Sequence, residues 1–150
     1  MTIFMERIDF SQPQQAAVLI ELLDAYAQDP MGGGVGLAAE VKACLAERLA
    51  AVPGAVGLVA RLDGSPAGVA TAFPGFSTFA ARPLLSIHDL AVLAPFRRQG
   101  IGQALLAELE QIATELGCCK LTLEVLSNNQ VAQGAYRKSG FAPYELDAKT

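Results

Sequence analysis

One run of the sequence decides the fold, and it reads Val92-Leu93-Ala94-Pro95-Phe96-Arg97-Arg98-Gln99-Gly100-Ile101-Gly102. The residues before it are mostly apolar and predict a strand, and those after it have the apolar spacing of an amphipathic helix. The first amides of a helix lack partners within the helix, and the helix dipole makes that end partly positive. Gly100 and Gly102 lack a Cβ atom, so a ligand can approach the backbone closely, and the two arginines add positive charge. The turn therefore predicts a phosphate site.

Outward from this run, strand and helix patterns alternate between breaks rich in Gly, Pro and Asp. Ser11 is the predicted N-cap of the first helix, and residues 74–83 are predicted as a loop or strand edge. The predicted strands are 2–9, 55–62, 67–73, 84–93, 119–125 and 141–147, and the predicted helices are 13–28, 37–51, 100–117 and 128–138. This order predicts a single α/β (α+β) domain over residues 1–150, with a mixed, mostly antiparallel sheet. The strand-helix-strand unit around the run predicts one parallel β-α-β crossover.

The composition limits the classes of function. The chain has 150 residues, 52% of them hydrophobic, and a net charge of −4, which favours a globular domain and argues against nucleic-acid binding. Three cysteines without a Cys-x-x-Cys pair, and His88 as the one histidine, predict reduced thiols and no zinc site. The sequence shows no signal peptide and no window long enough to span a membrane, so we expect a cytoplasmic protein without a membrane partner.

Two blocks together resemble the GCN5-related N-acetyltransferase (GNAT) family. The first is Arg97-Arg98-Gln99-Gly100-Ile101-Gly102, which fits the family pattern Arg/Gln-x-x-Gly-x-Gly/Ala after a strand that ends in Val92. The second runs from Asn129 to Phe141 and fits Asn-x-x-Ala-x-x-x-Tyr-x-x-x-Gly-Phe. The good match covers about residues 85–141, and the N-terminal half matches only in the order of its elements. The resemblance implies the acyl-CoA N-acyltransferase (GNAT) fold.

The resemblance also implies acetyl-coenzyme A as co-substrate, without a metal, and direct transfer of acetyl to a primary amine in a ternary complex. Backbone amides of the turn would hold the diphosphate, and backbone groups of Leu90 and Val92 would pair with pantetheine. The residues implied in coenzyme A binding are Leu90, Ala91, Val92, Arg97, Arg98, Gln99, Gly100, Ile101, Gly102, Gln103, Asn129 and Tyr136. Such folds often form homodimers, so a homodimer is one assembly to expect.

Four residues are candidates for proton transfer: Tyr136, His88, Asp89 and Glu124. Tyr136 suits the acid that protonates the leaving thiolate, and the Val92 amide suits the donor to the carbonyl oxygen. His88, Asp89 and Glu124 are alternative bases for the amine. In a regular strand His88 and Asp89 point to opposite faces, so only one of them reaches the thioester unless a β-bulge intervenes.

Two other functions fit part of this pattern. A non-catalytic acyl-CoA-binding module would keep the fold without the chemistry. A dinucleotide-binding oxidoreductase is disfavoured, because residues 95–99 separate the strand from the first glycine and Leu105 stands at the third glycine position.

The sequence says less about the residues that would bind the amine acceptor. The glycine-rich residues 31–36 follow a helix rather than a strand, so they predict a loop beside the acceptor and not a second phosphate site. Phe76 and Phe79 are predicted either to line the acceptor pocket or to pack in the core. Cys118 and Cys119 begin an apolar strand and predict a core role rather than a nucleophile. Small amines, amino acids, antibiotics, peptide N-termini and protein lysines all remain open as acceptors.

Overall fold

The computed structural model describes residues 2–123 and residue 140. Within this part the chain forms five strands and three α-helices in the order β1-α1-α2-β2-β3-β4-α3-β5. Their bounds are β1 Ile3–Arg7, α1 Pro13–Gln28, α2 Ala39–Ala50, β2 Val56–Leu62, β3 Ser65–Ser77, β4 Arg82–Val92, α3 Ile101–Glu115 and β5 Leu121–Leu123. Short 3-10 turns lie at Pro30–Gly32 and Ala94–Phe96. The predicted helix 128–138 and strand 141–147 lie outside the described residues.

The described strands form one sheet in the order β1-β2-β3-β4-β5. The first three pairs are antiparallel, and β4 pairs with β5 in parallel, with Leu85 opposite Leu121. The predicted mixed sheet with one parallel crossover is therefore confirmed. A doubly wound dinucleotide-binding fold requires a mostly parallel sheet, so this topology does not fit the oxidoreductase alternative.

Two hairpins link the central strands. Asp63 and Gly64 connect β2 to β3 with φ angles of 50° and 87°, which is the left-handed pair that a tight hairpin turn needs. The second hairpin corrects the prediction for residues 74–83, because β3 continues to Ser77 and β4 already begins at Arg82. At its tip Phe76 and Phe79 are 63% and 105% exposed, so the prediction that they pack in the core is wrong.

Helices cover both faces of the sheet. On one face α3 buries Ile101, Leu105 and Leu109 against the small and branched side chains of the central strands. On the other face α1 and α2 bury Leu19 and Leu49 against alternate residues of the same strands. Because successive strand residues point to opposite faces, each central strand contributes to both cores. This two-sided burial fixes the register of the strands on which the site stands.

Two helix boundaries differ from the sequence prediction. Gln12, not Ser11, is the N-cap of α1, and it makes no side-chain capping bond. The Ser11 hydroxyl instead donates to Asp9 Oδ1 at 2.6 Å, and this bond lowers the pKa of the Asp9 carboxyl. At its C-terminal end α3 stops at Glu115, whereas the predicted helix runs to residue 117. Leu116 is 48% exposed and therefore does not extend the apolar stripe of the helix.

None of the helices within residues 2–123 is both long and apolar enough to cross a lipid bilayer.

An ion pair joins the edge strand β1 to α3. Arg7 Nε lies 2.7 Å from Glu108 Oε2, and the two Nη atoms donate to the Glu115 carboxylate at 2.9 and 2.8 Å. This geometry is the bidentate pairing in which arginine and carboxylate bind most strongly. The hydrogen bonds from Arg7 hold the pKa of Glu115 below its ordinary value. The pair therefore stabilises the packing of α3 across the sheet while the carboxylate is ionised.

Replacing Arg7 with Met keeps an apolar stem and removes both ion pairs, so we expect a lower Tm at pH 7. The folded-state pKa of Glu115 is depressed, so its contribution is present above its ordinary pKa of 4.5 and lost as pH falls through the lower folded value. Circular dichroism melts should therefore show the wild-type and variant curves converging in acid and in high salt, since the exposed pair is screened. Glu110→Gln on the same helix, where no ion pair forms among the described residues, is the control. An unchanged Tm at pH 7 would contradict the role assigned to Arg7.

Candidate active site

A β-bulge in β4 brings two of the three sequence-predicted bases, His88 and Asp89, onto one face. In the pairing of β3 with β4, Thr71 lies opposite Asp89 and Ala72 opposite Ile87, so the register shifts by one residue at His88. Ile87 and Leu90 accordingly both pack on the α3 side, although they are three positions apart. The two residues between them face α1 and α2. The sequence analysis allowed both side chains to face the same site only if a β-bulge intervenes, and this bulge is present. His88 and Asp89 therefore do not point to opposite faces as they would in a regular strand.

Asp89 is the better placed of the two. Its Oδ2 accepts a hydrogen bond from Thr71 Oγ1 at 2.5 Å, and Thr71 is only 2% exposed. A buried hydroxyl requires a partner, so this bond fixes both side chains in one orientation. His88 is exposed and contacts the Phe73 ring edge-on, with the ring centroids 4.8 Å apart.

A cavity of about 390 Å³ lies between the sheet and the two helices of this face. Asp89, Thr71 and Phe73 line it from the sheet, and α1, the segment before α2 and α2 itself line it from above. The helical side is apolar, with Leu23, Tyr26, Leu37, Val41 and Leu45 among its members. The cavity therefore places one carboxylate against an apolar wall. His88 does not line it.

Among the described residues, the edge of β4 at Leu90 and Val92 that faces away from β3 pairs with no strand, and we call it the free edge of β4. The Leu93 amide donates to Ala67 O at 2.8 Å, toward β3. Because backbone groups alternate along a strand, those of Leu90 and Val92 point away from β3, toward the side where β5 lies. Among the described residues, β5 pairs with β4 only from Leu85 to Ile87. The edge at Leu90 and Val92 therefore suits an extended, amide-containing ligand that binds as an added strand.

The turn after β4 leads directly into α3, whose first backbone amides have no partner within the helix. Arg98 and Gly100 have φ angles of 64° and 83°, and this left-handed geometry turns the chain into the helix at Ile101. Gly100 caps α3 without a side-chain bond, so the first amides of the helix are not satisfied by a capping side chain. A Cβ placed on Gly102 would approach only Val92 Cγ2, at 3.8 Å. The turn is therefore open to a bulky anion, and the exposed Arg98 adds a positive charge beside it.

Arg97 is engaged elsewhere. Its Nε donates to the Val92 carbonyl at 3.0 Å, and its Nη2 donates to Asp29 Oδ2 at 2.8 Å. Asp29 follows the last residue of α1, so this side chain links the turn to the end of the acceptor-side helix. The sequence predicted Arg97 as a charge for the diphosphate. The structure directs its guanidinium to Asp29 and to the Val92 carbonyl, so of the backbone groups of Val92 only the amide is left for a ligand on this edge of β4 among the described contacts.

The adjacent cysteines lie on the opposite face from Asp89. Cys118 and Cys119 line a second cavity, of about 520 Å³, beside α3 and β5. Burial raises the pKa of the Cys118 thiol, which reduces the thiolate fraction at neutral pH. Both thiols are only partly buried, so the expectation of a core role holds in part. Within residues 2–123 and 140, no group of three or more His, Cys, Asp or Glu side chains could hold a metal ion.

Three sequence-predicted site residues, Glu124, Asn129 and Tyr136, lie outside the described residues. Conversely, sequence analysis did not identify Thr71 as a site residue, although its hydroxyl donates to Asp89. It is the single polar side chain in the apolar stretch 67–73, and that isolation is a signal that it serves another polar group. In the sequence Tyr26 and Leu45 fit the apolar stripes of the two helices that precede β2. Nothing in the sequence shows that these stripes leave a cavity above Asp89.

The chain matches the family model described as the acetyltransferase (GNAT) family over residues 19–141. An uncharacterized N-acetyltransferase of Bacillus subtilis is 38% identical over 55 residues, which make up 37% of this chain and 35% of that protein. Streptothricin acetyltransferase of Streptomyces lavendulae is 38% identical over 86 residues, 57% of this chain and 43% of that protein. These matches to curated relatives thus span about half of their length or less.

The fold is also found among solved structures. An aminoglycoside acetyltransferase from an uncultured soil metagenomic sample, in complex with trehalose, has a TM-score of 0.77 and 25% identity, over 97% of this chain and 92% of that one. The chain belongs to the acetyltransferase (GNAT) family.

Proposed function

We propose that the protein transfers acetyl from acetyl-coenzyme A to a primary amine of a small molecule, in a ternary complex. One observation carries the proposal: β4 joins a carboxylate-containing cavity at Asp89 to a backbone edge that is unpaired among the described residues and leads into the uncapped start of α3. Family membership supports the donor, and the name of the Streptomyces lavendulae relative supports a small-molecule amine. The open edge and the unobstructed turn fit the pantetheine and diphosphate of coenzyme A.

Each part of the site has a defined task in this proposal. Acetyl-coenzyme A supplies an activated thioester carbonyl. The amides of residues 100–103 hold the diphosphate, and Leu90 and Val92 align pantetheine along β4. The Val92 amide donates to the carbonyl oxygen as negative charge develops there.

The amine nitrogen forms a bond to the carbonyl carbon as the carbon–sulfur bond breaks. Asp89 holds the amine in the cavity and accepts its proton, directly or through water, with Thr71 fixing the carboxylate. His88 remains a second candidate on the same face, and Glu124 a third. Tyr136 is our sequence-based candidate for the acid that returns a proton to the thiolate. Holding both reactants on one strand supplies much of the acceleration.

The test combines acetyl-coenzyme A binding by calorimetry with thiol release in the presence of a panel of primary amines. We expect saturable binding of acetyl-coenzyme A, and thiol release that depends on both the amine and the protein. Mass spectrometry of the amine should show the acetylated product. Binding without thiol release from any amine would favour a non-catalytic acyl-CoA module. Absence of acetyl-coenzyme A binding would reject the proposal altogether.

A further inference from the structure

We propose, building on the acetyl transfer proposed above, that the acceptor is a primary amine carried on a compact apolar body rather than a polycationic sugar. The starting point is the charge of the cavity above β4. Among its described lining residues Asp89 is the one charged side chain, and Thr71 is bonded to it. One carboxylate matches one ammonium group. A second or third ammonium group would lose water without gaining a carboxylate partner from the described lining residues, which is costly against apolar side chains.

Two other carboxylates of this face, Asp24 and Asp29, are engaged with other groups. Asp24 Oδ1 accepts the Leu37 amide at 2.8 Å, and its Oδ2 lies 3.5 Å from Lys42 Nζ. Asp29 pairs with Arg97 at 2.8 Å. These two acids tie the end of α1 to α2 and to the β4 turn. They are therefore occupied in holding the cavity wall rather than offered to a ligand.

The wall itself selects for apolar surface. Leu37, Val41 and Leu45 face the cavity from α2 and the segment before it, and Tyr26 and Phe73 add aromatic surface from α1 and β3. Hydroxyl-rich sugars would lose hydrogen bonds to water against these side chains, whereas an aryl or alkyl group gains from burial. A volume of about 390 Å³ is at the small end of ligand cavities and suits a single ring with a short chain. Charge, surface and size therefore point to the same class of acceptor.

The test compares kcat/KM for 2-phenylethylamine, ethanolamine and kanamycin at saturating acetyl-coenzyme A. We expect 2-phenylethylamine to exceed both by at least about tenfold, the effect of burying one aromatic side group. Equal or better turnover of kanamycin would overturn the inference and leave the proposed acetyl transfer intact. If no amine releases thiol although acetyl-coenzyme A binds, the proposed function itself fails.

A rim substitution adds an independent measurement. Val41→Glu places a second carboxylate at the cavity mouth, and the 40% exposure of Val41 makes this change tolerable for folding. We expect the ratio of kcat/KM for 2-phenylethylamine to that for kanamycin to fall at least about threefold, the size of a partly exposed ion pair. Val52→Glu is the matched control, because Val52 is also 40% exposed and does not line the cavity. A ratio that changes equally in both variants would overturn the assignment of this cavity to the acceptor.

Discussion

Replacing Asp89 with Asn is expected to lower kcat/KM for the amine by about 10²- to 10⁴-fold, the usual contribution of a positioned acid or base. Asn has the same shape and can still accept the hydrogen bond of Thr71, so the fold and the bulge should be retained. What is lost is the negative charge that holds the amine and takes its proton. Steady-state rates against pH, with the KM for acetyl-coenzyme A measured in parallel, separate this loss from a defect in donor binding.

Three companion variants, two at Thr71 and one at His88, distinguish a catalytic role of Asp89 from a structural one. Thr71→Val removes the bond that orients Asp89 and should cost less activity than Asp89→Asn, while Thr71→Ser should restore most of it. A larger loss in Thr71→Val than in Asp89→Asn would mean that the pair is structural. His88→Gln tests the neighbouring base candidate, since the bulge sets both side chains on the same face. If His88→Gln carries the larger loss, the base is His88 and the assignment of Asp89 is wrong.

The elements that sequence analysis predicted well are those that local chemistry decides. The Asp63-Gly64 pair specifies a tight hairpin by itself, and the spacing of Ile101, Leu105 and Leu109 specifies the buried face of α3. The parallel pair follows from a strand-helix-strand unit whose hand and direction are nearly fixed. For the same reason the position of the turn between β4 and α3 follows from the order of residues 92–102 alone.

The features that sequence analysis left open or missed depend on contacts between distant residues. The bulge at His88 arises from how β4 registers against β3, and the sequence of β4 alone leaves both arrangements open. Likewise, the local sequence pattern assigns Arg97 to a phosphate, but in the structure Arg97 pairs with Asp29 at 2.8 Å. Asp29 is distant from Arg97 in the sequence. The extension of β3 and β4 into residues 74–83 depends on their mutual pairing, which overrides the weak strand propensity of Pro74 and Gly75.

Gly100→Val should separate the two properties of the turn, its backbone geometry and its openness to the donor. Gly100 has a φ of 83°, which a β-branched residue adopts only with strain of about 1–3 kcal/mol, and urea denaturation should show that loss. Among the described residues, no atom beyond the two chain neighbours lies within 4 Å of a Cβ at this position, so the expected strain is in the backbone and not a clash. We expect the Kd for acetyl-coenzyme A to rise by about 10- to 100-fold, the loss of one or two hydrogen bonds to a charged group.

Gly102→Ala supplies the matched control, because its Cβ would meet only Val92 Cγ2 at the ordinary distance of 3.8 Å and its position is helical. Alanine favours a helix over glycine by about 1 kcal/mol, so this variant should fold at least as well as the wild type. A weaker affinity for acetyl-coenzyme A in Gly102→Ala then has no folding explanation and reports close approach of the ligand to the backbone. Unchanged affinity in both variants would place the diphosphate elsewhere. In that case the free edge at Leu90 and Val92 would have to hold the donor without the helix start.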